Sequence, residues 1–366
     1  MKKCKVGIMT FFRVNNFGAV LQSYALSKTL DRLGYDAEII DYQCPFLEKP
    51  YRWENLHNKG IFAFLTSFLG FLTRFPRNQK FLKFRKKNLC VSEKTYCREN
   101  VDEAKYDLIV VGSDQIWNLE ATNGDDRYLC EGFSKKIPKC TYAASFGKDE
   151  IEERWIETVR QGLQNFQRIT CREESGTKFV NKIVKDKNCQ TMIDPVFLLS
   201  KEDWEKIATK PKIADYVLVY QQSITKTVVE VARYLARENN LKIIFIPFPM
   251  GKISFGKCKT NYSPKEWLGL IQNAAYVVTD SFHGTAFSIV MNKEFFVSTC
   301  GTGPKTGGRI HGLLAKMNLQ NRYIECGDEI QGKKDMVNWK EVNEIIKEER
   351  KCAIDYLMEI KKYVSE

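Results

Sequence analysis

Residues 5–42, KVGIMTFFRVNNFGAVLQSYALSKTLDRLGYDAEIIDY, decide the fold because they predict a strand, a helix and a second strand. Lys5 to Thr10 has the apolar character of a buried strand, and the polar turn Asn15 to Ala19 follows it. Apolar side chains at helical spacing predict a helix over residues 20–33, and residues 37–42 alternate like a strand. Such a unit implies a parallel sheet, and parallel sheets bind ligands beyond the carboxyl ends of their strands.

The same alternation of strands and helices recurs along the chain in two halves. It predicts an α/β protein with two Rossmann-like domains, residues 1–199 and residues 216–338, joined by a linker at residues 200–215. Residues 45–105 are predicted to be an irregular, basic insertion with helical stretches. The last segment, residues 339–366, is predicted to be a helix that packs back across the domains.

The composition of the chain limits the kinds of ligand and partner that we expect it to bind. The 366 residues include 57 Lys and Arg against 45 Asp and Glu, a net charge of +12. This excess favours phosphorylated ligands, an anionic membrane surface or nucleic acid, although a solvated basic surface explains it equally well. No nucleic-acid module is recognisable, so we expect no nucleic-acid partner. Three scattered histidines and cysteines without a C-x-x-C pair predict no metal site.

The N-terminus and one apolar run bear on localisation. Met1 leads into a strand pattern without an apolar signal region, which predicts a cytoplasmic protein with free thiols. The run Ile61–Leu72 is too short to cross a bilayer as a helix. Basic residues follow it, so the segment favours either peripheral contact with the inner membrane surface or a core helix followed by a solvated one. These basic residues are Arg74, Arg77, Lys80, Lys83, Arg85, Lys86 and Lys87.

The segment Thr279–Thr285, TDSFHGT, places a strand end directly before a helix. A helix N-terminus carries a partial positive charge that suits a phosphate or carboxylate. Gly284 allows close approach of the backbone to a ligand, and His283 exchanges a proton near neutral pH. The alternative is a capped helix with a structural histidine.

Further polar motifs follow other predicted strands. In the segment Gly112–Asn118, GSDQIWN, Asp114 is suited to take a proton from a sugar hydroxyl. Arg172 begins a helix, where its guanidinium either grips a carboxylate or phosphate or pairs with a neighbouring glutamate. Arg309 follows the glycine-rich loop at residues 301–308, which either closes over an anion or is a plain surface loop. All these motifs are expected to meet in one inter-domain cleft.

The motifs together resemble the polysaccharide pyruvyl transferase family over roughly residues 5–320. The combination of Gly-Ser-Asp-Gln-x-Trp-Asn with Ser-Phe-His-Gly is the specific part of the resemblance. The residues that carry it are 16–22 (NFGAVLQ), 111–118 (VGSDQIWN), 142–147 (YAASFG), 172–175 (REES) and 280–284 (DSFHG).

The resemblance implies a GT-B-like fold with the ligand cleft between its domains. It implies transfer of the pyruvyl unit of phosphoenolpyruvate to a saccharide in bacterial exopolysaccharide or capsule biosynthesis, without a cofactor. A lipid-linked acceptor, such as an undecaprenyl-linked saccharide, would give the apolar run and its basic residues a role. The expected catalytic residues are His283, Arg172 and Asp114. The expected substrate-binding residues are Asn16, Gly18, Ser113, Gln115, Asn118, Ser145, Asp280, Ser281, Gly284 and Arg309.

Two other functions remain open from the sequence. One is a GT-B glycosyltransferase that uses a nucleotide sugar. Binding of a sugar nucleotide in place of phosphoenolpyruvate would indicate this function. The other is a non-catalytic component of a polysaccharide assembly complex, which a loss of function in His283→Ala with unchanged folding would exclude.

Overall fold

The computed structural model describes residues 3–48, 61–223, 226–247, 257–258, 261–300, 308–328 and 335–364, with the side chains of residues 61–74 and 257–258 outside that description. The chain forms two compact units. The first comprises Met1–Phe146, Ile151–Pro195 and Asp355–Glu366, and the second comprises Gly147–Glu150 and Val196–Ile354.

The first unit is built on a five-stranded parallel sheet in the order β3-β2-β1-β4-β5. Its central strands are continuous apolar runs, as expected for a sheet covered on both faces. The strands are β1 (Lys5–Met9), β2 (Asp36–Tyr42), β3 (Val91–Tyr96), β4 (Leu108–Val111) and β5 (Lys139–Thr141). A parallel pair, β6 (Thr170–Cys171) and β7 (Gln190–Thr191), extends this region.

Buried aromatic side chains from the loops of the first unit pack together. Trp117 is buried and packs with its ring centroid 5.1 Å from that of Phe146 and 6.0 Å from that of Phe166. The helices are α1 (Phe17–Arg32), α2 (Pro45–Glu48), α3 (Ile61–Asn88), α4 (Glu153–Leu163) and α5 (Glu174–Ile183).

The predicted insertion at residues 45–105 contains more order than expected. Helix α3 runs over 28 residues with Pro76 inside it, and β3 joins the edge of the main sheet by pairing with β2. None of the helices in the described part of the chain is long and apolar enough to cross a membrane. The side chains of the whole apolar run, Ile61–Leu72, lie outside the description, so its membrane role stays a prediction.

The second unit repeats the same plan. Its parallel sheet has the order β10-β9-β8-β11-β12, and aromatic side chains of α6 and α8 pack edge to face against Phe287 of α9. The strands are β8 (Tyr216–Tyr220), β9 (Lys242–Ile246), β10 (Lys257–Cys258), β11 (Tyr276–Thr279) and β12 (Phe295–Val297). The helices are α6 (Lys201–Ile207), α7 (Lys226–Glu238), α8 (Pro264–Asn273), α9 (Phe282–Val290), α10 (Gly308–Lys316) and α11 (Trp339–Glu359).

One segment differs from its predicted form, and the last helix, predicted over residues 339–366, spans Trp339–Glu359. Residues 200–215, expected to be a linker, contain α6, which Ser200 caps through its side chain and which buries Trp204. The last helix, α11, continues beyond residue 354, where its end and the following residues belong to the first unit.

Candidate active-site residues

Each sheet reverses its strand order at one point, between β1 and β4 in the first unit and between β8 and β11 in the second. The connections from the two central strands leave in opposite directions there, which opens a crevice at their carboxyl ends. The predicted motifs at residues 16–18, 112–118 and 280–284 lie after β1, β4 and β11, whereas Ser145 and Arg172 follow β5 and β6.

In the first unit, a buried glutamine joins the loops after β1 and β4. Gln22 Nε2 donates to Thr10 Oγ1 at 2.8 Å, and Gln22 Oε1 accepts from the backbone N–H of Ser113 at 3.2 Å. The Thr10 hydroxyl also donates to the Ser113 carbonyl at 3.2 Å. Ser113 Oγ donates to the Ala143 carbonyl at 2.5 Å and is thereby committed to the fold. Ser113, predicted to bind substrate, thus shapes the loop through its backbone and side chain.

The backbone of this loop has dihedral angles and close contacts that few residue types allow. Gly112 has φ +136°, and a Cβ there would lie 2.0 Å from the carbonyl oxygen of Tyr142. Asp114 has φ +71°, in the left-handed region. Its backbone carbonyl accepts from Ser145 N at 3.0 Å, and its side chain accepts from Gln115 N at 2.9 Å. These contacts present the Asp114 carboxylate at the end of β4.

Arg172 lies in the centre of a buried charge network, which we name the Arg172 cluster: Arg172, Asp114, Glu173 and Asp194. Its Nη1 contacts Asp194 Oδ2 at 2.9 Å and lies 3.8 Å from Asp114 Oδ1. Its Nε contacts Glu173 Oε1 at 2.7 Å, and this oxygen also accepts from Ser145 Oγ at 2.9 Å. The cluster brings together three predicted site residues, Asp114, Ser145 and Arg172.

The side chains of the Arg172 cluster differ in how deeply they are buried. The side chains of Arg172 and Asp194 are 1% and 0% exposed, whereas those of Glu173 and Asp114 keep 10% and 12%. Burial works against the charged guanidinium, but the carboxylates of Glu173, Asp194 and Asp114 outweigh it and raise the pKa of Arg172 above its ordinary value. Arg172 is thus a permanent cation that orders three carboxylates.

The other predicted residues of the first unit lie around α1 and after β4. Asn16 is the N-cap of α1 and accepts from Ala19 N at 3.3 Å, and Gly18 is buried in the first turn of this helix. Gln115 and Asn118 are half-buried and lie within 3.5 Å of each other through Asn118 Nδ2 and Gln115 Oε1. Asn118 Oδ1 also accepts from Ala121 N at 3.1 Å.

In the second unit, Asp280 joins the loops on both sides of the reversal point. Its Oδ1 accepts from Gln222 N at 2.6 Å, and its Oδ2 accepts from Ser223 N at 2.8 Å. Thr279 Oγ1 donates to the Tyr220 carbonyl at 2.6 Å and so ties β11 to β8. Asp280 holds the loop after β8 in place, a role the sequence did not indicate.

Helix α9 begins directly after Asp280, with Ser281 as its N-cap and His283 in its first turn. Ser281 Oγ accepts from Gly284 N at 3.3 Å, which makes Ser281 the N-cap. His283 is the second helical residue, and its largely buried ring meets that of Phe282 edge to face at 5.3 Å. A Cβ at Gly284 would lie 2.4 Å from Thr279 Oγ1, so this glycine seats the helix against β11. The helix start therefore presents His283 beside the positive end of the helix dipole.

Arg309 lies at the start of another helix, α10, and is half-buried. An ideal Cβ on the preceding residue, Gly308, would lie 2.2 Å from both carboxylate oxygens of Asp149. The helix start thus already has an acidic side chain against it. Most of the glycine-rich loop, residues 301–307, lies outside the described residues, so its closure over an anion stays a prediction.

A family model described as polysaccharide pyruvyl transferase matches residues 16–301, which is most of the chain. The chain belongs to the polysaccharide pyruvyl transferase family. The match includes every predicted site residue except Arg309, and it establishes the chain as a transferase enzyme. A comparison with curated protein sequences finds no match.

Several solved structures share the fold at low sequence identity. The UDP-GlcNAc 2-epimerase of Methanocaldococcus jannaschii has a TM-score of 0.52 and 13% identity, with 99% of this chain and 100% of that chain covered. The UDP-GlcNAc 2-epimerase of Neisseria meningitidis has a TM-score of 0.51 and 11% identity, with 98% of each chain covered. They confirm the predicted fold class, GT-B-like with two Rossmann-like domains.

Sequence reasoning missed several residues that shape the site. Gln22, Thr10 and Asp194 are buried and hydrogen-bonded to predicted site residues, but none of them was predicted to be a site residue, although Gln22 belongs to the motif at residues 16–22. Asp194 carried a usable signal, because it follows an apolar stretch as the other motifs do. Among the described residues, no group of three or more His, Cys, Asp or Glu side chains could hold a metal ion.

Proposed function

We propose that the enzyme transfers the pyruvyl group of phosphoenolpyruvate to two hydroxyls of a saccharide and forms a cyclic ketal. The observation that carries the proposal is the family match over residues 16–301, which includes both the His283 motif and the Gly112–Asn118 motif. The acceptor belongs to bacterial polysaccharide biosynthesis, such as that of exopolysaccharide or capsule. The proposed reaction takes place in the cytoplasm.

The reaction balances without a metal or cofactor. Two acceptor hydroxyls form C–O bonds to the central carbon of the donor and release two protons. One proton converts the donor's methylene carbon to a methyl group, and the other leaves with the phosphate as its C–O bond breaks. The enzyme must therefore supply a proton donor, a proton acceptor and stabilisation for the departing phosphate.

His283 is the proposed proton donor to the methylene carbon or the leaving phosphate. Its imidazole is suited to proton transfer near neutral pH, and its place in the first turn of α9 puts it beside a positive helix end that favours phosphate. Ser281 and Gly284 keep this helix start in position, and Asp280 holds the neighbouring loop.

Asp114 is the proposed base for an acceptor hydroxyl, and Arg172 is proposed to position it. The Asp114 side chain is the most exposed carboxylate of the Arg172 cluster, which suits it to meet a substrate. Because the Arg172 guanidinium already faces three carboxylates, its proposed part is to hold Asp114 and Glu173. Asn16, Gly18, Gln115, Asn118 and Arg309 stay proposed substrate contacts.

A lipid-linked acceptor remains part of the proposal through α3. The second half of this helix carries exposed lysines, Lys83, Lys86 and Lys87, which suit the anionic surface of a membrane. An undecaprenyl-linked saccharide presented at the inner membrane surface would meet this helix.

The donor is tested by thermal unfolding of the purified enzyme with phosphoenolpyruvate and, separately, with UDP, GDP and CMP sugars. A ligand that binds the folded protein specifically, at a free concentration one hundred times its dissociation constant, stabilises that protein by about 2.7 kcal/mol. We expect phosphoenolpyruvate alone to raise the melting temperature. A rise with a sugar nucleotide alone would contradict the proposal in favour of glycosyl transfer.

His283→Ala provides the catalytic test, with His311→Ala as its matched control. His311 lies near the start of α10, is exposed, and packs on Tyr323 with ring centroids 4.1 Å apart. We expect His283→Ala to lower phosphate release from phosphoenolpyruvate by roughly 10²–10⁴-fold, the usual contribution of a general acid, while the ligand-free melting temperature stays unchanged. His311→Ala should retain activity. Equal activity in both variants would remove His283 from the mechanism.

A further inference from the structure

A cavity of about 530 Å³ lies in the first unit, apart from the Gly112–Asn118 motif and the Arg172 cluster. Its walls are the loop after β1, the end of β2, α2, the second half of α3 and the start of β3. The volume is within the usual ~300–1,000 Å³ of small-molecule pockets. We name it the α3 pocket.

The charges on one wall of the α3 pocket are neutralised within the chain. Arg13 contacts Glu48 through Nε and Oε1 at 2.7 Å, and its Nη1 pairs with the carboxylate of Asp41. Asp41 Oδ2 also accepts from Thr95 Oγ1 at 2.8 Å. On this wall a neutral ligand with hydroxyl groups would find hydrogen-bond acceptors and an ordered guanidinium.

An amide-lined wall continues the polar surface. Asn15 Nδ2 donates to Asn78 Oδ1 at 2.7 Å, and Arg85 Nη1 donates to Asn15 Oδ1 at 2.9 Å. Gln79 is exposed on α3 and also lines the pocket. Asn15, Asn78 and Arg85 are held in fixed directions by one another, which suits recognition of a ligand by several directed hydrogen bonds.

Apolar side chains complete the lining. Phe12, Leu82 and Leu89 line the pocket, and Leu82 is 39% exposed although it is a large apolar side chain. A pocket with directed polar groups on some walls and apolar groups on others matches a sugar ring, which has hydroxyls at its edge and C–H groups on its faces.

We propose that the α3 pocket binds the saccharide acceptor, an inference that rests on the proposed pyruvyl transfer. The paired carboxylates Asp41 and Glu48 and the amides of Asn15, Asn78 and Gln79 recognise its hydroxyls. The pocket thereby decides which saccharide the enzyme accepts.

Substitutions that fill the pocket test this assignment. Gln79→Trp places a large side chain at the mouth from an exposed position of α3, and Lys83→Trp is its control because Lys83 is exposed on the same helix outside the pocket wall. Binding is measured by saturation-transfer NMR with methyl hexopyranosides, methyl N-acetylhexosaminides and their disaccharides. The full chain is used throughout.

We expect at least one of these saccharides to give a signal with the unaltered enzyme and with Lys83→Trp, and Gln79→Trp to lose it. The melting-temperature response of Gln79→Trp to phosphoenolpyruvate should stay unchanged. A signal that persists in Gln79→Trp, or its absence from the unaltered enzyme for every saccharide, overturns the inference. Failure of pyruvyl transfer itself appears separately, as no response of the unaltered enzyme to phosphoenolpyruvate.

Discussion

The Arg172 cluster and the start of α9 occupy equivalent places beyond the strands of two similar sheets, yet they are stabilised in different ways. In the first unit a buried cation joins three carboxylates from separate loops. In the second, the main-chain N–H groups of a loop and a helix start are joined by Asp280 and Ser281, beside one histidine. Removing a charge should therefore damage the fold in the first unit and chiefly the chemistry in the second.

The sharpest test of this difference is Arg172→Ala. Removing the guanidinium leaves the fully buried carboxylate of Asp194 without its cation, and breaking a buried ion pair in this way costs about 3–5 kcal/mol. We expect a large fall in the melting temperature, measured by circular dichroism, in contrast to His283→Ala.

Arg160→Ala controls for the loss of an arginine as such. Arg160 pairs with Glu157 at a similar distance, 2.5 Å, but both side chains are more than half exposed. This variant should leave the melting temperature unchanged, because solvent screens the pair. If Arg172→Ala melts no earlier than Arg160→Ala, the cluster is not a stabilising element.

A second test compares one glycine from each site, Gly112 in the first unit and Gly284 in the second. An alanine Cβ at Gly112 would lie 2.0 Å from a backbone carbonyl at φ +136°, whereas at Gly284 it would lie 2.4 Å from a threonine hydroxyl in a helix. Because the backbone yields less than a side chain, Gly112→Ala should cost about 3 kcal/mol and Gly284→Ala about 1–2 kcal/mol. Thermal unfolding measures both, and a larger loss in Gly284→Ala would reverse the comparison.

The smallest effect is expected from Ser281→Ala, which removes the cap of α9. Loss of an N-cap costs about 0.5–2 kcal/mol, and Ser263→Ala should cost a similar amount because Ser263 caps α8 in the same way. Only Ser281→Ala should also weaken the response to phosphoenolpyruvate. An equal response in both variants would separate this helix start from the donor.

The sequence predicted the central strands and the motifs at their ends, because apolar runs and polar strand ends are local patterns. It missed β3, whose residues VSEKTY are largely polar because it is an edge strand with three consecutive exposed side chains. It also missed α6, although Ser200 and Asp203 form a capping box before the buried Trp204.

The partners within the candidate site were harder to predict. Arg172 and Asp194 are 22 residues apart, and Gln22 and Ser113 are 91 residues apart. Such pairs depend on how strands align in the sheet, which periodicity does not reveal. The α3 pocket could not be predicted from the sequence either. Its walls come from segments that are distant along the chain, among them the loop after β1 and the predicted insertion.

The position of β3 at the sheet edge has a consequence for the evolution of the enzyme. Within the sheet, β3 pairs with β2 alone, whereas α3 also contacts the loop after β1 through Asn15 and helix α1 through Phe17. Residues 91–96 can therefore diverge without rebuilding the central strands or the Arg172 cluster, whereas α3 can change only together with its partners in that loop and helix.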